Sequence, residues 1–223
     1  MKKTIEEHAA RFSELAPDYD ESQNREEYRA CVSLVVHYAD PSPDDVVLDL
    51  GTGTGAIALA LAPDAARVIG RDISEGMLEQ ARKKAAEVGI ENVEFGEGEF
   101  RDPNVPDGED VDIVVSNFAM HHLSDEEKRE AIQVIAGLEP KRFVLGDVMF
   151  FGEPDPDHPF YTPEVDDPAT VGMLADALTD AGFVLTAVES VHEQVGVLVA
   201  ESSSAGRRMS SDEMAERAPG SDE

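Results

Sequence analysis

The stretch VVLDLGTGTG, residues 46–55, decides how the chain is read. An apolar run carrying one carboxylate, Asp49, ends in glycines at alternate positions, Gly51, Gly53 and Gly55. Glycine takes positive φ without strain and lets a ligand come close to the backbone, so such a turn after a strand marks a nucleotide-type ligand. With Ala56 the stretch also satisfies G-x-G-x-x-A, the dinucleotide fingerprint. Asp72, at the end of the next apolar run, has the placement of an acid that holds a ribose diol.

Asp49 separates the ligand classes. A dinucleotide brings its pyrophosphate to this turn, where a carboxylate repels it. S-adenosylmethionine has no phosphate and carries a sulfonium and an ammonium, which a carboxylate at the strand end favours. An acid inside an apolar strand also costs free energy unless something partners it. The other reading of Asp49 is a cap on the turn's own backbone amides.

Outward from this stretch, strands and helices alternate. RVIGRD, NVEF, VDIVVSN and RFVLGDVMF read as further strands. Between them lie a short helix stopped by Pro63, a helix from the N-cap Ser74 to Gly89, and a helix opened by the capping box Ser124–Glu127. A proline- and aromatic-rich loop, a helix from about 168 to Gly182 and two final strands follow, the last two as an antiparallel pair. This alternation implies βαβ units and a parallel sheet covered on both faces. Residues 4–40 read as two helices joined by a loop, LAPDYDESQN. The second places Tyr28, Cys31, Leu34, Val35 and Tyr38 on one apolar face. The expected organisation is a helical cap over 1–40, a core over 41–201 and a disordered acidic tail over 202–223.

Composition narrows the class. Acids number 48 against 18 basic residues, of which six are lysines, for a net charge of −30. This profile resembles proteins of salt-loving archaea, because molar salt shortens the Debye length to about 3 Å and screens self-repulsion. Cys31 is the single cysteine, which excludes an intrachain disulfide and reads as a packed small hydrophobe. The acids in MKKTIEEHAARF fall where a signal peptide would need an apolar core, and no apolar run approaches a membrane span. A cytoplasmic location is therefore expected.

From residue 41 to about 200 the sequence resembles the class I, Rossmann-like S-adenosylmethionine-dependent methyltransferases. VVLDLGTGTG looks like their first motif, VIGRDISEGMLEQAR their second, VEFGEGEF their third and VDIVVSNFAMHHL their fourth. The resemblance implies a doubly wound sheet of seven mostly parallel strands in the order 3-2-1-4-5-7-6, the last antiparallel. It implies that Asp49, Gly51, Thr52, Gly53 and Gly55 hold the cofactor and that Asp72 binds its ribose. Ile73 and Met77 would flank the adenine. An acid after glycine meets the adenine amino group, here Glu99 beside Phe100, with Glu97 a competitor. Asn117 and Phe118 would border the methionine part.

Methyl transfer to an aligned nucleophile needs positioning and exclusion of water more than a fixed catalytic motif. His121 and His122 follow the fourth strand on the ligand side. His121 is the candidate base, and Tyr19 the cap residue that reaches the cofactor. The adjacent histidines read as poorly spaced for one ion, and no metal is expected. The D/N-P-P-Y sequence of amide and base N-methyltransferases is replaced by SNFA, and basic patches are missing, which argues against nucleic acid. Phe12, Tyr19, Met149, Phe150, Phe151, His158, Phe160 and Tyr161 supply an aromatic cover suited to a small organic acceptor. Three alternatives remain: a tRNA or protein methyltransferase, a non-catalytic S-adenosylmethionine-binding protein, and an NAD(P)-dependent oxidoreductase.

Overall fold

The computed structural model describes residues 4–23, 25–153 and 159–203. The expected acidic tail and His158 therefore lie outside the described residues, apart from Ser202 and Ser203 at the tail's start.

Among the described residues eight strands form one sheet: β1 (Val46–Leu50), β2 (Arg67–Asp72), β3 (Val93–Glu97), β4 (Ile113–Asn117), β5 (Arg142–Phe150), β6 (Ala169–Thr170), β7 (Phe183–His192) and β8 (Val195–Ser202). The path runs β3-β2-β1-β4-β5-β8-β7, which is the expected order once β6 is set aside. β6, two residues pairing in parallel with the end of β5, is the eighth strand that the sequence reading did not contain. Strands β1 to β5 are parallel neighbours, while β8 runs antiparallel to both β5 and β7.

β4 is buried throughout and β1 nearly so, the signature of a sheet covered on both faces. Successive β1 side chains go to opposite sides. Val47 joins a core with Cys31, Val35, Ile57, Leu61 and Leu78, whereas Leu48 joins Ile132, Ile135 and Leu174. The first core belongs to α3 (Glu26–Ala39), α4 (Ala56–Leu61) and α5 (Glu75–Val88), and the second to α6 (Asp125–Gly137) and α7 (Val171–Asp180). Cys31 is fully buried, its Sγ 3.7 Å from the Gly196 carbonyl, as expected of a packed thiol.

The N-terminal cap differs from the expected two helices and loop. After α1 (Ile5–Leu15), LAPDYDESQN forms a 3₁₀ turn over Ala16–Asp18 and a short helix, α2 (Tyr19–Ser22). Pro17 sets the turn, and the Ser22 hydroxyl donates to the Tyr19 carbonyl at 2.7 Å. α1 packs on α5 where Gly76 leaves room: a Cβ there would sit 2.8 Å from the Ser13 Cα. The Ser13 and Ser74 hydroxyls share a hydrogen bond of 2.9 Å at this contact. Asp20 fixes α2 to the body, accepting the Thr54 hydroxyl at 2.6 Å and pairing with Lys84.

Candidate functional site

In an open sheet of this kind the ligand crevice lies beyond the strand ends where the order reverses, here between β1 and β4. A cavity of about 520 Å³ opens there, within the usual range for ligand pockets. Gly51, Thr52 and Gly53 line it from the β1 turn, Asp72, Ile73 and Met77 from β2 and α5, Glu99 and Phe100 from the loop after β3, and Asn117 and Phe118 from β4. Asp49 and Tyr19 reach it as well. Thirteen of the fourteen candidate residues thus have assigned places, twelve in this wall and one, His121, in a second cavity described below.

Gly55 is the exception. It stands at the N-cap of α4 with φ +84°, and a Cβ would meet Ala81 and Phe95 at 3.1 Å. Its lack of a side chain serves helix–strand packing, not contact with the cavity. Glu97, the competitor of Glu99, is exposed and outside the wall.

The turn is held by two carboxylates. Asp49 Oδ2 accepts the Thr52 hydroxyl at 2.7 Å and the Ala58 amide at 3.2 Å, so the local cap is a real part of its role. Burial pushes its carboxyl up to about 7, against the pull of those two donors. Asp72 accepts the Gly53 amide at 2.8 Å and the Ser74 amide at 2.9 Å, and burial raises its carboxyl too. Asn117 is 9% exposed, and both atoms of its amide lack a partner among the described residues. A buried amide left open on a cavity wall fits a ligand that carries both an ammonium and a carboxylate, as the methionine part of S-adenosylmethionine does. Phe118 beside it has φ +52°, strain of the kind that gathers at functional sites.

A second cavity, about 220 Å³, adjoins the first. Phe12, Tyr19, Tyr28, Phe118 and His122 line both and form the junction. Burial raises the Tyr19 phenol far above its ordinary range and pushes Tyr28 up to about 12, so both remain protonated donors. His121 lines only the smaller cavity. Asp147 clasps it, with Oδ1 2.5 Å from Nδ1 and Oδ2 accepting its amide at 2.9 Å. Burial disfavours its charged form, but the Asp147 carboxylate outweighs this and raises the imidazole.

His122 holds the better position for acid–base work. Its Nδ1 lies 2.8 Å from Asp166 Oδ1, and burial with the neighbouring His121 pulls it down to about 4. The expected poor spacing of the two histidines does not hold. The 3₁₀ turn Met120–His122 brings their ring centroids to 4.1 Å, and potential ligand atoms of His121, His122 and Asp166 lie within 4.8 Å of one another. Both Nδ1 atoms are already held by carboxylates.

Of the aromatic cover, Phe12, Tyr19, Phe160 and Tyr161 line the cavities, while Met149, Phe150 and Phe151 do not. Met149 is fully buried because β5 carries it into the second core. Sequence reading missed Tyr28, Asp147 and Asp166 as site residues. Asp147 did carry a usable signal, a carboxylate inside the apolar run VLGDVMF, the same signal that singled out Asp49.

Residues 47–138 match the methyltransferase domain family. An uncharacterized methyltransferase of Bacillus subtilis, YcgJ, is 36% identical over 118 residues, covering 52% of this chain and 46% of the relative. Its crystal structure aligns with a TM-score of 0.60 at 27% identity, covering 71% and 70% of the two chains. The arsenite methyltransferase of Halobacterium salinarum is 35% identical over 156 residues, 66% of this chain and 39% of that one. Magnesium protoporphyrin IX methyltransferase from Synechocystis, solved with S-adenosylmethionine bound, shares the fold at 24% identity and a TM-score of 0.65, covering 82% and 83%. The chain spans between about half and two thirds of the curated relatives it matches first. Several of these are Bacillus proteins, which gives the expected archaeal source no support.

Proposed function

We propose that this chain, whose residues 47–138 match a methyltransferase domain, is a class I methyltransferase that transfers a methyl group from S-adenosylmethionine to a small molecule. The observation that carries the reading is the buried carboxylate of Asp49, with the half-buried Asp72 beside it, on the wall of a cavity at the β1–β4 reversal. A pyrophosphate would meet repulsion there, whereas a sulfonium and an ammonium gain from it.

S-adenosylmethionine supplies a methyl carbon already activated by its sulfonium. Asp72 keeps the β1 turn in place through Gly53 and presents the carboxylate edge to a ribose diol. Ile73 and Met77 offer apolar surface for the adenine and Glu99 an acceptor for its amino group. Asn117 receives the amino-acid end. Tyr19 and Tyr28, brought by α2 and α3, close the junction and exclude water, and alignment there contributes about 7–11 kcal/mol. His122 takes the base role first assigned to His121, because it reaches both cavities. Among the described residues no helix is long and apolar enough to cross a membrane.

Incubation with methyl-labelled S-adenosylmethionine and pooled small acids, phenols and amines tests the reading. Label moving into one pool with equal release of S-adenosylhomocysteine supports it. Tight cofactor binding with no transfer to any pool, peptide or tRNA contradicts turnover and favours a binding role.

A further inference from the structure

Nearly every described cation of this acidic chain is matched by an acid. Arg67, Arg71, Arg82, Arg101, Arg129 and Arg142 each reach a carboxylate, as do Lys83, Lys84, Lys128 and Lys141. Among the described residues Arg11 and Arg25 reach none. Their guanidiniums lie instead over aromatic rings, 5.6 Å from the Phe12 centroid and 5.2 Å from that of Phe160. Both line the 220 Å³ cavity. The carboxylate in the same wall, Asp166, is engaged by His122 Nδ1 and by the Thr162 amide at 2.7 Å. Two guanidiniums that meet no carboxylate among the described residues, both at one cavity, mark a place kept for an anion from outside.

We propose that this smaller cavity is the acceptor site and takes a one-ring aromatic carboxylate bearing a ring hydroxyl, its carboxylate held by Arg11 and Arg25 and its hydroxyl turned to His122. The proposal rests on the methyltransferase reading above. Phe118, Phe160 and Tyr161 supply the flat apolar walls an aromatic ring fills. The volume, about 220 Å³ and less than half that of the cofactor cavity, accommodates a one-ring acceptor. The junction residues place the hydroxyl where the two cavities meet.

Among the five junction residues only His122 offers an unprotonated nitrogen at neutral pH, since two are phenylalanines and the tyrosines stay protonated, and it serves to orient the hydroxyl and take up its proton as the methyl group moves. Asp166 fixes its ring through Nδ1, and Nε2 carries no hydrogen bond from the described residues. The groups around it are His8 and Phe12 from α1, His121, and Asp147 and Asp166. In the step, the acceptor oxygen forms its bond to the methyl carbon as the carbon–sulfur bond breaks. The sulfur keeps that electron pair and becomes a neutral thioether, and the hydroxyl proton passes to His122 Nε2 and on to solvent.

Calorimetry of the full chain saturated with S-adenosylhomocysteine, titrated with 2-, 3- and 4-hydroxybenzoate and with the neutral 4-hydroxybenzyl alcohol, tests the site. At least one acid is expected to bind tenfold or more tightly than the alcohol. The double variant Arg11→Gln, Arg25→Gln should lose that preference while binding S-adenosylhomocysteine as the wild type does. His122→Gln should keep acid affinity within about threefold and lower methyl-ether formation by about a hundredfold or more through kcat. Equal binding of acid and alcohol, no binding of either, or an unchanged preference in the double variant overturns the proposal. Failure of the wild type to bind S-adenosylhomocysteine would instead defeat the methyltransferase reading beneath it.

Discussion

Asp49 Oδ2 accepts the Thr52 hydroxyl at 2.7 Å across the turn that follows β1, so the acid that should attract a cationic cofactor also braces the loop that receives it. Both roles have a cost. Burial raises the carboxyl from 3.8 to about 7 in the folded chain. A raised folded value favours folding most below pH about 4 and loses that contribution as pH climbs to about 7. Asp49→Asn should therefore stabilise the ligand-free protein at pH 8. The gain is up to about 4 kcal/mol, since each tenfold change in proton affinity is worth about 1.4 kcal/mol. Thermal unfolding of both proteins at pH 5 and pH 8 checks this, with the gain expected at pH 8.

Cofactor affinity should move the opposite way. Only the ionised Asp49 attracts a sulfonium or ammonium, so wild-type binding of S-adenosylmethionine should strengthen as pH rises through about 7. In Asp49→Asn the affinity should be at least tenfold weaker at pH 8 and nearly flat with pH. A wild-type profile as flat as the variant's would remove Asp49 from contact with the cation.

Gly53 and Gly55 should respond differently to alanine. Both have positive φ, at +54° and +84°, which costs an alanine about 1–2 kcal/mol. At Gly55 the new methyl also meets Ala81 and Phe95 at 3.1 Å, whereas at Gly53 it meets nothing within 4 Å and points into free space. Gly55→Ala should lower the melting temperature more and leave affinity of the folded protein nearly unchanged. Gly53→Ala should weaken S-adenosylhomocysteine binding by tenfold or more. Paired melting and titration curves separate the two.

Much of this arrangement was legible in the sequence, for physical reasons. Residues 46–55 and 67–72 are local: apolar period, glycines and an acid at each strand end specify strand, turn and site together. The cap boundaries Ser74 and Gly89, and the box Ser124–Glu127, were readable for the same reason, since a helix terminus is satisfied by its own neighbours. What was hidden depends on distant segments meeting. Asp166 reaches His122 across 44 residues, and Tyr28 reads as an ordinary member of an apolar helix face until α3 is docked under β4 and β5. The turn Met120–His122 likewise decides which histidine faces the junction, and side-chain direction within one 3₁₀ turn leaves no periodic trace. β6 is two residues long, too short for any pattern.

Glu99 and Glu97 offer a check on the third segment. Glu99 lies in the cavity wall and Glu97 outside it. Glu99→Gln is expected to weaken binding of S-adenosylhomocysteine by about three- to tenfold, with Glu97→Gln matching the wild type. The reverse result would move the adenine contact to the strand end.

Calorimetric titration with S-adenosylhomocysteine and, separately, NADH tests the central claim most directly. It should be run on the wild type and Asp72→Ala in about 2 M potassium chloride, where the Debye length of about 3 Å or less relieves the −30 charge. The account predicts micromolar binding of S-adenosylhomocysteine, lost by tenfold or more in the variant that no longer accepts the Gly53 and Ser74 amides, and no binding of NADH. Binding of NADH without S-adenosylhomocysteine would contradict it and return the glycine turn to the dinucleotide class.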